Sequence, residues 1–271
     1  MSKPHLPPLD IEEEKEDQLR AERLSQEWLL VEEALDTAKI YKTIVFFGSA
    51  RIEDRRTAEL MQEKADKLSR DKALLSKTNK HLIDIAKQNA QLSLAQSRYY
   101  EDARTLANWL AKHLYDCNEV HTRLVTGGGP GIMEAANRGA SELGQKSIGL
   151  NITIPSEQKP NPYIPAELSF QFHYFSVRKM HFLKRARAII VFPGGFGTLD
   201  ELLEVLTLIQ TRKIERIPIL LYGKEYWQKV INFNYLAAQH LIDKEDLTFF
   251  SVVDDLKTAQ SMLLNYLQCE V

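Results

Sequence analysis

The stretch Ala188-Ile189-Ile190-Val191-Phe192-Pro193-Gly194-Gly195-Phe196-Gly197-Thr198-Leu199-Asp200-Glu201 decides the fold. An apolar run comes first, then a glycine-rich turn, then the helical apolar pattern of Leu202-Leu203-Glu204-Val205-Leu206. That order is a buried strand, a tight turn and a helix. A strand that is apolar along its whole length is covered on both faces, as in parallel sheets. The turn sets bare N–H groups at a helix N-terminus, a ready anion site, and its glycines let a ligand approach the backbone closely. Glu201 follows one helical turn later. A phosphate cradle with a carboxylate beside it points to a phosphorylated small molecule. The same letters have a plainer reading, because Thr198-x-x-Glu201 is also the pattern of a capping box, in which Glu201 only folds back on the N-cap. Asp200 lies on a different side of the helix from Glu201, so the two carboxylates have different tasks.

Working outward, Thr43–Phe47, Arg123–Val125, Ser147–Leu150 and Ile217–Leu221 are further predicted strands, separated by helical patterns. The expected class is therefore α/β: a Rossmann-like, doubly wound, mainly parallel sheet with helices on both faces. In such folds ligands sit beyond the carboxyl ends of the strands. Three glycine turns fall at that end: Gly48-Ser49, Gly127-Gly128-Gly129 and Gly194-Gly195. The second belongs to Thr126-Gly127-Gly128-Gly129-Pro130-Gly131-Ile132-Met133-Glu134, again a strand-to-helix link with proline near the first helical turn. Ser176-Val177-Arg178-Lys179-Met180 leads into the strand of the opening stretch, so its cations reach the same rim. Arginine there suits a phosphate or a developing negative charge.

The chain is expected to form a single α/β domain over residues 1–271, with two additions. Residues 9–40 form an N-terminal helical segment whose Leu24, Trp28, Val31 and Leu35 share one face. Residues 54–98 form a helical, coiled-coil-like insertion after the first strand. There Met61, Leu68, Leu75 and Leu82 recur every seventh residue, and Ile85, Leu92, Tyr99 and Leu106 repeat after a phase shift. Two uses stay open for that seam: a hairpin packing on itself, or an oligomer contact. Lys72 and Asn79 make the seam imperfect.

Composition excludes several classes. A formal net charge of −2 gives no reason to expect nucleic acid or an anionic membrane as partner. No apolar run is long enough to span a bilayer, and the start, running into Asp10-Ile11-Glu12-Glu13-Glu14, has no apolar h-region, so no signal peptide is expected. The two cysteines, Cys117 and Cys269, have no CxxC spacing, which fits a reducing, cytoplasmic setting without a disulfide frame or structural zinc. The turn after the first strand lacks G-x-G-x-x-G, and there is no Walker A loop, which argues against NAD and against P-loop ATP hydrolysis. The histidines form no metal set: His113 and Cys117 are spaced i, i+4 without a third ligand, and His173 and His181 are structural.

Taken together, Gly48-Ser49-Ala50-Arg51, the Gly127–Ala135 run, Arg178-Lys179-Met180 and the Pro193–Glu201 run resemble the LOG ("lonely guy") family. These are cytokinin riboside 5'-monophosphate phosphoribohydrolases and related bacterial nucleotide 5'-monophosphate nucleosidases, often mislabelled lysine decarboxylases. The resemblance covers about Thr43 to Tyr222 outside the insertion. Ser156-Glu157-Gln158 and Asn161-Pro162-Tyr163 resemble the longer bacterial branch. It implies hydrolysis of the N-glycosidic bond of an AMP-like or N6-modified nucleoside 5'-monophosphate. Arg178 and Glu201 are then the catalytic pair. Ser49, Gly128, Gly129, Lys179, Gly194, Gly195, Gly197 and Thr198 would hold substrate and phosphate. No metal or organic cofactor is implied, and a homodimer or higher homo-oligomer is. Where relatives pass quickly from the first turn into a helix, this chain inserts roughly 45 residues, far more than the usual connection. The alternative reading is a nucleotide or molybdenum-cofactor carrier of similar fold, without turnover.

Overall fold

The computed structural model of the chain describes residues 13–70, 77–153 and 160–267. Strands β1 (Lys42–Phe47), β2 (Thr122–Thr126), β3 (Ile148–Ile152), β4 (Ser169–Phe172), β5 (Ala186–Val191), β6 (Ile219–Tyr222) and β7 (Ser251–Val253) form one sheet in the order β4-β3-β2-β1-β5-β6-β7. Every neighbouring pair is parallel. The strand order reverses at β1, whose two neighbours are β2 and β5. The edge strands β4 and β7 add to the five expected from the sequence: Ser169 and Gln171 in β4 and Ser251 in β7 break up the continuous apolar run that marks a buried strand such as β6.

Alternation along each strand feeds two cores, since successive side chains point to opposite faces. Ile44 and Phe46 of β1 join Ala188 and Ile190 of β5 on one face. Val45 and Phe47 join Ile189 and Val191 on the other. The first face is covered by α3 (Lys77–Asp116), α4 (Ile132–Ser141) and α8 (Leu256–Tyr266). The second is covered by α1 (Glu13–Thr37), α5 (Phe175–Lys184), α6 (Phe196–Gln210) and α7 (Lys224–Val230). The predicted face of α1 is the one that packs: Val31 and Leu35 are buried, with Leu24 and Trp28 against them.

The insertion is a helical hairpin. Helix α2 (Arg55–Arg70) packs antiparallel along the outer part of α3: Arg55 N–H donates to the Glu101 carboxylate, and Ser93 Oγ lies 3.8 Å from Met61 Sδ. The inner half of α3 is core. Tyr99, Ala103, Leu106 and Leu110 are buried, Tyr100 donates to Glu134 at 2.8 Å, and Asn108 donates to the Gly139 carbonyl at 3.0 Å. The hairpin seam differs from the expected one. Ala58 and Ala65 of α2 meet the line of Ile83, Ala90 and Ser97 on α3, all buried. Met61, Leu68, Leu82 and Ile85, offered as the seam, are exposed instead, as is Leu92. Small alanines win because they let the two backbones approach, which a leucine would hold apart. Lys72, Leu75 and Ser156-Glu157-Gln158 lie outside the described residues.

One expectation about the cysteines is not met. Cys117, one residue past α3, is disulfide-bonded. Cys269, the only other cysteine in the chain, lies outside the described residues. Among the described residues no helix is long and apolar enough to cross a membrane.

Candidate active site

The reversal of strand order opens a crevice where β1, β2 and β5 end, the usual ligand position of open α/β sheets. A cavity of about 550 Å³ lies there. Its walls are Gly48–Arg51 after β1, Gly127 after β2, Met133 of α4, Phe175, Arg178 and Phe182 of α5, and Gly195–Glu201 at the start of α6. Two backbone bonds draw the turns together: Ser49 N–H donates to the Pro193 carbonyl, and Ile132 N–H donates to the Ser49 carbonyl, each at 3.0 Å.

Helix α6 begins at Phe196 with Gly195 as its N-cap, and no side chain caps it. The capping-box reading therefore fails: Thr198 and Glu201 lie inside the helix, and Glu201 does not fold back. Thr198 and Leu199 N–H both donate to the Gly195 carbonyl at 3.0 Å. The N–H groups ahead of them, of Phe196 and Gly197, have no preceding turn to donate to and belong to residues of the cavity wall, which favours an anion there. Thr198 is buried, and its Oγ1 sits only 2.0 Å from where a Cβ on Gly194 would stand. Gly194 must be glycine for that hydroxyl to occupy its place. Phe196, between two glycines, is 93% exposed at the mouth.

Glu201 is buried and makes no hydrogen bond to a described residue. Burial pushes its pKa up to about 7, Glu204 and Asp200 push the same way, and Arg178 and Lys179 oppose them. Its carboxyl is thus poised between charged and neutral forms near neutral pH. Arg178 is its counterpart across the cavity wall. Its Nε donates to the Leu150 carbonyl at 2.7 Å, and its guanidinium lies 5.1 Å from the Phe182 ring centroid. Burial presses its pKa below the ordinary value, while the charge on Glu201 supports the cation. Gly127 makes room for it, since a Cβ there would stand 2.5 Å from Arg178 Nη2.

Helix α5, which carries Arg178, is held by α1. Glu27 is buried and accepts from the N–H groups of His173 (2.8 Å) and Tyr174 (3.2 Å), just before α5 begins. At the other end Glu32 pairs with Arg185 at 2.5 Å and with Lys184, and lies 3.2 Å from His181 Nδ1. His181 stacks on Trp28 at 4.4 Å, and burial pushes its pKa down to about 4, so it is neutral near pH 7. It is structural, as expected. The sequence shows Glu27 and Glu32 only as residues flanking the apolar stripe of α1; their partners, about 150 residues away, leave no local signal.

The predicted site residues divide into two groups. Arg178, Glu201, Ser49, Gly195, Gly197 and Thr198 line the cavity. Lys179 does not: it bridges to Asp200 at 2.6 Å and Glu204 at 3.1 Å, tying α5 to α6. Gly128 and Gly129 turn inward, their carbonyls accepting from Asn161 at 3.1 and 3.0 Å, and Gly127 takes their place on the wall. Gly194 lies behind the wall, its carbonyl accepting from Tyr226. Met133, Phe175, Phe182 and Phe196 also line the cavity and carry no sequence signal of it, because apolar letters in a helical pattern look like core. Among the described residues no cluster of metal-ligating side chains occurs.

Fold and site together define an α/β protein with a ligand cleft at the switch point of a parallel sheet. Comparison with known proteins returns the family that the motifs resemble. A family model described as "possible lysine decarboxylase" matches residues 133–263. A pyrimidine/purine nucleotide 5'-monophosphate nucleosidase of Escherichia coli (strain K12) is 33% identical over 110 residues, 37% of this chain and 24% of that protein. A cytokinin riboside 5'-monophosphate phosphoribohydrolase of Arabidopsis thaliana is 30% identical over 141 residues, 51% of this chain and 61% of that protein. The match therefore spans about a quarter of the bacterial relative and three fifths of the plant one. Among solved structures, the Moco carrier protein from Chlamydomonas reinhardtii is similar at 16% identity and a TM-score of 0.45, over 83% of this chain and 97% of that one.

Proposed function

We propose that the chain hydrolyses the N-glycosidic bond of a nucleoside 5'-monophosphate, AMP or an N6-modified AMP, to free base and ribose 5-phosphate. The observation that carries this reading is Glu201, a buried carboxyl with a pKa of about 7 in the same cavity as the Arg178 guanidinium and the open N-terminus of α6. The names of the bacterial and plant relatives support the same reaction class.

The chemistry follows from the residue types. The Phe196 and Gly197 N–H groups at the start of α6 and the Thr198 hydroxyl take the 5'-phosphate. The C1'–N bond breaks, its electron pair leaves with the base, and positive charge builds on the ribose. Ionised Glu201 stabilises that charge and accepts a proton from the attacking water, whose oxygen ends on C1'. Arg178 stabilises the negative charge on the departing base, which then takes up a proton. Lys179 is held charged between Asp200 and Glu204, away from the cavity, which ill suits the neutral amine of a Schiff-base decarboxylase.

The test is a panel of nucleoside monophosphates incubated with the protein, with free base and ribose 5-phosphate followed by chromatography. Base release that disappears in Glu201→Gln is expected. Tight nucleotide binding with no release from any substrate would refute hydrolysis and favour a carrier.

A further inference from the structure

The hairpin has a face that the fold leaves uncovered. Leu60, Met61 and Leu68 of α2 and Leu82, Ile85 and Leu92 of α3 are each between 37% and 59% exposed. On α3 these belong to the series Leu82, Ile85, Asn89, Leu92, Gln96, spaced three and four residues apart. At 3.6 residues per turn that series lies about 120° around α3 from the buried seam line Ile83-Ala90-Ser97. On α2, Leu60, Met61 and Leu68 lie about 100° from the seam line Ala58-Ala65. Because the two helices are antiparallel, both stripes open to the same side, where Met61 Sδ meets Ser93 Oγ. The hairpin thus has two seams: a small-residue one that closes it on itself, and a leucine-rich one facing outward.

We propose that this outward face binds the same face of a second copy of the chain, closing a four-helix bundle between two hairpins. Spacing in threes and fours is the pattern of helices interdigitating with helices, and one polar residue in the series, here Asn89, is the usual device for fixing register. The face needs no other surface, since a two-fold contact joins a patch to itself. Helix α2 is 16 residues long, which gives a two-helix footprint of roughly 24 Å by 20 Å, about 480 Å². That is below the ~800 Å² per partner of a standard interface and close to the roughly 500 Å² per partner of the smallest specific ones, the size of a contributing contact. Lys64, between Leu60 and Leu68, is the lone charge in these two stripes, so no like-charge cluster opposes self-pairing. The inference is independent of the chemistry proposed above.

The full chain and the triple variant Leu68→Glu/Ile85→Glu/Leu92→Glu are compared by light scattering, with Gln91→Glu, exposed on another side of α3, as control. The expected result is a twofold lower mass for the triple variant, unchanged circular dichroism, and wild-type mass for the control. In parallel, a benzoylphenylalanine photocrosslinker at Leu82 in the otherwise native chain should yield a covalent species of twice the chain mass, with the adduct mapping to α2 or α3. This second arm decides the matter even if the triple variant fails to fold. Equal masses for folded variant and wild type, or crosslinks only within one chain or to a different protein, would overturn the proposal.

Discussion

At the scale of single residues, the site depends on one ionisable group and two close approaches. Glu201→Gln removes the only carboxyl in the cavity wall whose pKa is raised to about 7, and base release should fall by on the order of 10²- to 10⁴-fold, read from steady-state kinetics. In the proposed reaction the ionised form works, so wild-type kcat/KM should rise with pH through about 7; a flat profile would exclude Glu201 as the titrating group. Gly127→Ala places a methyl group 2.5 Å from Arg178 Nη2, so the guanidinium must move. A displacement of that size is expected to lower kcat about 10²-fold, with thermal unfolding little changed. Phe196, almost wholly exposed at the mouth, is suited to stack on the base. Phe196→Ala should raise KM roughly threefold to tenfold and leave kcat and stability alone. The types of these residues were legible beforehand, because glycine turns and a carboxylate follow from local rules. The roles of Lys179 and Gly127 were not, since which neighbour faces the cavity depends on how α5 and β2 are seated.

At the scale of elements, α1 matters because it fixes the helix that carries Arg178. Glu32→Ala would strand Arg185, which is 8% exposed, and release the end of α5. A loss of about 3 kcal/mol is expected in chemical denaturation. The bonds from Arg185 and Lys184 outweigh burial and hold the Glu32 pKa below its ordinary 4.5. Its stabilisation is therefore present above pH 4.5 and lost as pH falls further, so the gap between variant and wild type should close in acid. The hairpin shows the limit of pattern reading at this scale. The heptads in residues 54–98 are real, yet two stripes on one helix compete for the seam, and the smaller side chains take it.

At the scale of the whole molecule, two buried groups titrate in opposite senses. His181, ordinarily near 6.5, is depressed to about 4, so it adds stability as pH rises from about 4 to 6.5. Glu201, ordinarily 4.5, is raised to about 7, so its contribution is fully present below 4.5 and lost as pH rises through 7. Glu201→Gln removes only the second. The variant should therefore gain on wild type by on the order of 1 kcal/mol per pH unit between 4.5 and 7, measured by urea denaturation at fixed ionic strength. A constant difference across that range would contradict a buried, neutral Glu201. The sequence by itself determined the strand–turn–helix units and the convergence of three turns on one rim, while the pairing of Arg178 with Glu201 came from the motifs' resemblance to a family. The strand–turn–helix units arise from apolar periodicity and from glycine's steric freedom, both written within a few residues. Only the tertiary structure decided that Glu201 is buried rather than capping its helix, that Lys179 is spent on α6, that α1 clamps α5, and which stripe of the hairpin is covered. Burial and ion pairing are set by partners far away in the chain, and no local pattern encodes them.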